Sequence, residues 1–177
     1  LSLISDAGTP LLSDPGKFLV NKCLEEKIEI TPVPGASSIT SALSVSGFSD
    51  KFLFYGFLPK KENELEKVLT ILSTNIYTQV FFVTAKKINF YINAFKKFFS
   101  GRKIMIAKEI TKIHETFIRQ EIDELKSFNN SIKGELTVVI SENNIKSKII
   151  DEEKIVNKIK KYLKKYSLKD TVNLILE

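Results

Sequence analysis

Hydrophobic positions along the chain fall into short blocks whose period switches between strand-like and helix-like. Leu1 to Ile4 is an apolar run that reads as a buried strand. Asp14 to Lys27 reads as an amphipathic helix, with Asp14 capping orphan N–H groups and Pro15 in the first helical position. Ile28 to Thr31 reads as a second strand. Ser37 to Ser46 reads as a more apolar helix that Gly47 closes. Strand, helix, strand, helix over residues 1–49 predicts a parallel α/β layer.

Beyond residue 50 the order becomes mixed. Phe52 to Leu58 is too apolar for an exposed loop and reads as a strand that Pro59 ends. Leu65, Val68, Leu69 and Leu72 mark one face of a helix over Glu62 to Ser73, and Tyr77 to Val83 reads as a strand. Ile88, Tyr91, Ile92, Phe95 and Phe99 mark a second helical face. Strands are predicted at Ile104 to Lys108, Thr116 to Arg119 and Leu136 to Ile140. This order predicts an α+β domain with a mixed or largely antiparallel sheet. Residues 151–177 read as a charged helical tail, with Ile155, Ile159, Leu163 and Tyr166 near one face and Ser167 as the cap of a further helix. Its lysines read first as a solvated face.

Composition narrows the class. The chain has 177 residues, of which 43% are hydrophobic, enough for one domain or two small ones. No apolar run reaches the roughly 18 residues of a membrane span, so none is expected, and no signal peptide is visible. Cys23 is the sole cysteine, which excludes an internal disulfide and a cysteine zinc site; among apolar helix positions it reads as a buried thiol. No metal site is expected. A net charge of +6 suits an RNA-facing protein, and a lysine-rich compositional bias explains it equally well.

Two small-residue loops are the first candidates for chemistry. Ser5 to Gly16 and Pro32 to Ser38 each lie between a predicted strand and a predicted helix. Loops at strand C-termini are where α/β sheets hold ligands, so two in succession suggest one crevice. Gly8 permits a positive φ or close backbone approach. Ser37 either caps its helix or offers a donor to a ligand, and both roles can coexist.

The phrases SDAGTPLLSDPG (5–16), PVPGASS (32–38), ALSVSGF (42–48), FYGFLPKK (54–61), KEITKIHE (108–115) and KGE (133–135) occur in this order. In content and spacing the chain resembles the tetrapyrrole-methylase superfamily, and within it the bacterial branch that methylates a cytidine 2′-oxygen in 16S rRNA. The resemblance implies a two-domain α/β fold: residues 1–49 as the remainder of the N-terminal cofactor domain, 50–148 as the second domain, and 149–177 as a helical extension. It implies S-adenosyl-L-methionine as cofactor, the small ribosomal subunit as substrate, a homodimer and a cytoplasmic location. The seven glycines include no GxGxxG, so the resemblance also implies a fragment lacking its N-terminal part, inactive alone.

For the cofactor the resemblance nominates Asp6, Ala7, Gly8, Thr9 and Pro10, with Gly35, Ala36, Ser37 and Ser38. For the acceptor site it nominates Lys108, Glu109, Lys112 and His114: a lysine to stabilise an alkoxide or grip phosphate, Glu109 to orient a lysine, and the only histidine as a base. On an extended chain Lys108, Ile110 and Lys112 would share one side. Further phosphate contacts are expected at Lys60, Lys61, Lys86, Lys87, Arg102 and Arg119. The family usually carries Glu-Ser-Pro-His-Arg after its aromatic pair, whereas this chain has Val83-Thr84-Ala85-Lys86-Lys87. That departure removes a carboxylate and a histidine but keeps positive charge. Two alternatives stand beside this reading: a methylase of the same fold acting on a porphyrinoid or other substrate, and a non-catalytic RNA-binding fragment.

Overall fold

The computed structural model describes residues 1–6, 8–128, 134–143, 159–163, 166 and 167. Among them, β1 (Phe52–Phe57), β2 (Thr78–Thr84), β3 (Lys103–Lys108), β4 (Thr116–Glu121) and β5 (Glu135–Ile140) form one sheet in the order β1-β2-β5-β3-β4. β1 runs parallel to β2, and the remaining pairs are antiparallel. A parallel pair needs a crossover, which α3 (Glu62–Ser73) supplies; α4 (Ile88–Phe98) connects β2 to β3. The mixed α/β class predicted from the pattern is therefore the observed one.

Period-two alternation sorts the central strands onto two faces. Phe81, Val83, Ile104, Ile106, Leu136, Val138 and Ile140 point one way, against Leu65, Leu69, Ile92 and Phe95 of α3 and α4. The Phe81 ring stacks on Phe95 with centroids 5.9 Å apart. Val80, Met105, Ala107 and Val139 point the other way and meet Ile39 and Ala42 of α2 (Ser38–Ser46). Burial on both faces explains why β2 and β5 read as nearly continuous apolar runs. Gly47 ends α2 with φ 74, as expected.

The first 35 residues differ from expectation. Residues 1–4 and 28–31 join no ladder, and Leu1, Ile4, Ile28 and Ile30 are exposed. A strand exists only by hydrogen bonding to a neighbour, and these residues pair with no described segment. α1 (Lys17–Glu25) starts three residues after Asp14. Its cap is Gly16 at φ 133, a value that no right-handed helix accommodates, so Asp14 and Pro15 lie in the bend before it. α1 buries none of its residues, and Cys23 is half-buried rather than enclosed.

Residues 1–143 form one compact unit and 144–177 another. Of the predicted tail, residues 159–163 are helical, and the Tyr162 and Tyr166 rings meet edge to face at 6.1 Å. Ile155 and Leu168 lie outside the described residues.

Glu142 ties the chain entering β1 to the sheet. Its Oε2 accepts the Ser49 N–H at 3.0 Å and the Thr78 hydroxyl at 3.3 Å. The Ser49 amide above all holds the carboxyl below its ordinary 4.5. A depressed folded pKa adds stability above the unfolded value, and that stability fades as pH falls through the folded one. Glu142→Ala is therefore expected to cost about 1 kcal/mol at pH 7. In urea melts its deficit should shrink below pH 4.5. A deficit independent of pH would contradict the assignment.

Candidate active site

The two N-terminal loops meet. Thr9 Oγ1 lies 3.4 Å from the Ala36 carbonyl oxygen as a hydrogen-bond donor. A Cβ on Gly8, which has φ +75, would sit 3.1 Å from the same oxygen, so glycine is required there on two counts. Ser5 Oγ donates to the Gly8 carbonyl at 2.8 Å. Leu11 and Ser13 also have positive φ, at 75 and 67. Non-glycine residues rarely adopt that conformation, and its concentration in one loop is the kind of strain that functional sites hold. Asp6, Gly8, Gly35 and Ala36 are exposed, whereas Thr9, Pro10, Ser37 and Ser38 are half-buried. Ala7 lies outside the described residues. Ser37 is the N-cap of α2 by position, yet its side chain makes no capping bond. That leaves amides of the first turn of α2 to meet a ligand.

The loop of residues 8–16 also touches the sheet. The register of β1 against β2 shifts between Phe54 and Gly56, a bulge with Gly56 at φ +88. Ser13 Oγ lies 3.1 Å from where a Gly56 Cβ would stand. Neither Ser13 nor Gly56 was among the nominated residues. The signal was available in FYGFLPKK, where a glycine interrupts an apolar strand.

Strand directions gather the second group of candidates. β1, β2 and β3 end, and β4 and β5 begin, at the same end of the sheet. Lys60 and Lys61 follow β1, Lys86 and Lys87 follow β2, and residues 109–115 join β3 to β4 there. The Tyr91 hydroxyl hydrogen-bonds the Leu58 and Pro59 carbonyls, each at 3.2 Å, and Lys87 Nζ donates to the Lys60 carbonyl at 3.2 Å. The lysine segment is thus held at its root. Lys61 pairs with Glu64 in solvent at 3.3 Å, a contact worth little.

Residues 109–115 form a turn, so the side-sharing of Lys108, Ile110 and Lys112 expected on an extended chain does not apply. Glu109 and Thr111 have φ 52 and 69, and the Lys112 N–H donates to the Glu109 carbonyl at 2.9 Å. The sequence KEITKIHE carries no glycine or proline to announce this. Glu109 Oε1 accepts the Glu135 N–H at 3.0 Å and Lys112 Nζ at 3.1 Å. Lys112 Nζ also lies 3.5 Å from the Glu135 carboxylate. The Glu135 amide first, and Lys112 next, hold the Glu109 carboxyl below its usual range. Glu109 in turn raises Lys112. A Cβ on Gly134 would overlap the Glu109 carboxylate, so KGE and KEITKIHE are spatial partners. Lys108 is half-buried, and His114 and Ile113 are exposed.

One candidate is corrected, and a second, Arg119, stays exposed while it also holds the fold. Arg102 precedes β3, at the opposite end of the sheet, and is 5% exposed. Its Nη2 donates to the Ser73 and Asn75 carbonyls at 2.7 and 2.9 Å, and its guanidinium stacks on Phe99. An arginine buried at the end of α3 does not reach a phosphate in solvent; burial lowers its pKa. Arg119 donates through Nε and Nη2 to the Val45 carbonyl at 3.2 and 2.7 Å, fastening the last turn of α2 to β4. Among the described residues no group of three or more His, Cys, Asp or Glu could hold a metal, and no helix is long and apolar enough to cross a membrane.

The family model described as Tetrapyrrole (Corrin/Porphyrin) Methylases matches residues 2–126. The chain is 41% identical over 160 residues to the Ribosomal RNA small subunit methyltransferase I of Rickettsia prowazekii (strain Madrid E), covering 88% of this chain and 57% of that protein. It is 40% identical over 144 residues to the Thermotoga maritima protein of the same name, covering 80% and 64%. The chain thus spans about three fifths of the length of these curated relatives. The crystal structure of the methyltransferase CobJ is similar in fold at a TM-score of 0.57 and 16% identity, over 77% of this chain and 62% of that one. The family match runs through both glycine loops, β1 to β4 and the β3–β4 turn, and on it this chain belongs to the tetrapyrrole (corrin/porphyrin) methylase family.

Proposed function

We propose that the chain is part of an S-adenosylmethionine-dependent methyltransferase that modifies the ribose 2′-oxygen of a cytidine in 16S rRNA, on the small ribosomal subunit. One observation carries the proposal. The first glycine loop, which carries the second against it, reaches β1 at Gly56, beside the sheet end that collects Lys60, Lys61, Lys86, Lys87 and the 108–115 segment. The relatives' names supply the substrate class.

The donor set fits the cofactor. Asp6 offers a carboxylate to hydroxyl or amino groups, the uncapped start of α2 offers N–H groups to a carboxylate, and Gly8 and Gly35 allow close approach. When bound, S-adenosylmethionine supplies a methyl carbon on a positively charged sulfur. The chain's own part is to align the acceptor oxygen, accept its proton and stabilise the charge left on it. A lysine of the 108–112 segment serves the charge and His114 the proton. Residues 1–49 then belong to the cofactor domain, 50–148 to the acceptor domain and 149–177 to an extension. A cytoplasmic homodimer completes the proposal; the exposed Phe18, Phe52 and Ile71 support self-association.

The test is to incubate the intact gene product with labelled S-adenosylmethionine and small subunits lacking the modification. Label is expected in a single 2′-O-methylcytidine. Label on a base, or on a porphyrinoid instead of RNA, rejects the proposal. Asp6→Ala is expected to weaken cofactor binding about 10-fold, the loss of one charge-assisted hydrogen bond. An unchanged Kd by calorimetry removes Asp6 from the site.

A further inference from the structure

Glu109 is engaged through a single carboxylate oxygen. Its Oε1 serves the Glu135 amide and Lys112 together, and its own N–H donates to the Glu135 carbonyl at 3.1 Å. Only 17% of its side chain is exposed, and Gly134 closes over the carboxylate where any larger residue would collide. A carboxylate held anionic by such donors is a weak base. Lys112 is shared between Glu109 and Glu135, so much of its field is neutralised before any ligand arrives. Lys108, one residue before this cluster, makes no hydrogen bond or ion-pair contact through its ammonium among the described residues, and it meets Glu109 only as a weak through-space charge.

We infer that Glu109 is a positioning residue: its carboxylate latches the β3–β4 turn to the start of β5 and holds Lys112 between two carboxylates, leaving Lys108 as the cation that meets the anionic oxygen of the acceptor. The Lys108 half rests on the rRNA reading above, and the latch does not. The latch explains why a turn with two non-glycine residues at positive φ persists: side-chain bonds over-determine its shape. It also explains the pairing of two motifs that lie apart in sequence.

The experiment uses the intact gene product and four variants: Glu109→Ala, Glu109→Gln, Lys108→Ala and Lys112→Ala. Turnover on small subunits, Kd for S-adenosylmethionine and hydrogen exchange of the Glu135 amide are measured on each. Glu109→Ala should lower kcat on the order of 10- to 100-fold, the scale of lost alignment, with cofactor Kd unmoved and the Glu135 amide deprotected. Glu109→Gln keeps an oxygen for that amide and should recover both protection and part of kcat. Lys108→Ala should cost on the order of 100-fold in kcat, and Lys112→Ala no more than about fivefold. Equal losses for the two lysines would overturn the division of labour. Glu109→Gln as inactive as Glu109→Ala, with its amide protected, would place the charge itself in the chemistry. Fast exchange of the Glu135 amide in the native protein would overturn the latch whatever the substrate. A native protein inert on rRNA with that amide protected would reject the rRNA reading and the Lys108 half, and would leave the latch standing.

Discussion

Arg102→Ala is expected to cost about 2–4 kcal/mol of folding stability, because the two carbonyls it serves lose a charged donor inside the protein. Those carbonyls, Ser73 and Asn75, belong to the end of α3 and the chain that leaves it. The same variant also loses the packing of the guanidinium against the Phe99 ring, 5.1 Å away. Arg102→Lys should fall between, since one ammonium cannot reproduce the planar fork. Urea melts measure the loss. RNA affinity and its salt dependence, taken under conditions where the variant stays folded, should match the native protein. A native-like melt with a reduced salt slope would return Arg102 to the phosphate-binding set.

Replacing Lys60, Lys61, Lys86 and Lys87 together with alanine should have the opposite signature. Each phosphate contact releases counterions, so the slope of log affinity against log salt should fall by about 3, and affinity at moderate salt on the order of 100-fold. Lys60, Lys61 and Lys86 are exposed, so the melting transition should move little. Lys87 also supports the Lys60 carbonyl, but the Tyr91 hydroxyl holds the neighbouring carbonyls without it. Filter binding to small-subunit rRNA over a salt series gives both numbers. An unchanged slope would make these lysines ordinary solvated side chains.

These two outcomes separate arginine and lysine positions that look alike in the sequence. Both kinds sit beside strands and carry the same charge, and periodicity does not say which end of a strand lies at the site. Topology decides it: Arg102 precedes β3, whereas Lys86 and Lys87 follow β2. Where the apolar pattern was strong, as a continuous run at Phe81 to Val83 or a helical face along Leu65, Leu69 and Leu72, elements were legible to within one or two residues. It failed at residues 1–4 and 28–31, because a strand's existence depends on a neighbour and not on its own side chains. It could not decide residues 109–113, where charged side chains bond to one another and to the start of β5 and turn the chain. The glycine loops were legible because small residues between strand and helix have few other uses. Their contact with Gly56 needed the fold.

The Gly56 bulge also governs what happens along the free side of β1. Among the described residues β1 is an edge strand with Phe52, Tyr55 and Phe57 exposed, the composition of a template for intermolecular pairing. Its regular register with β2 runs only from Phe52 to Phe54 before the shift. A foreign strand adding to this edge would lose step after three residues, too few to seed a growing ladder. The irregularity that seats Ser13 thus also keeps an aromatic edge from recruiting copies of itself into fibres.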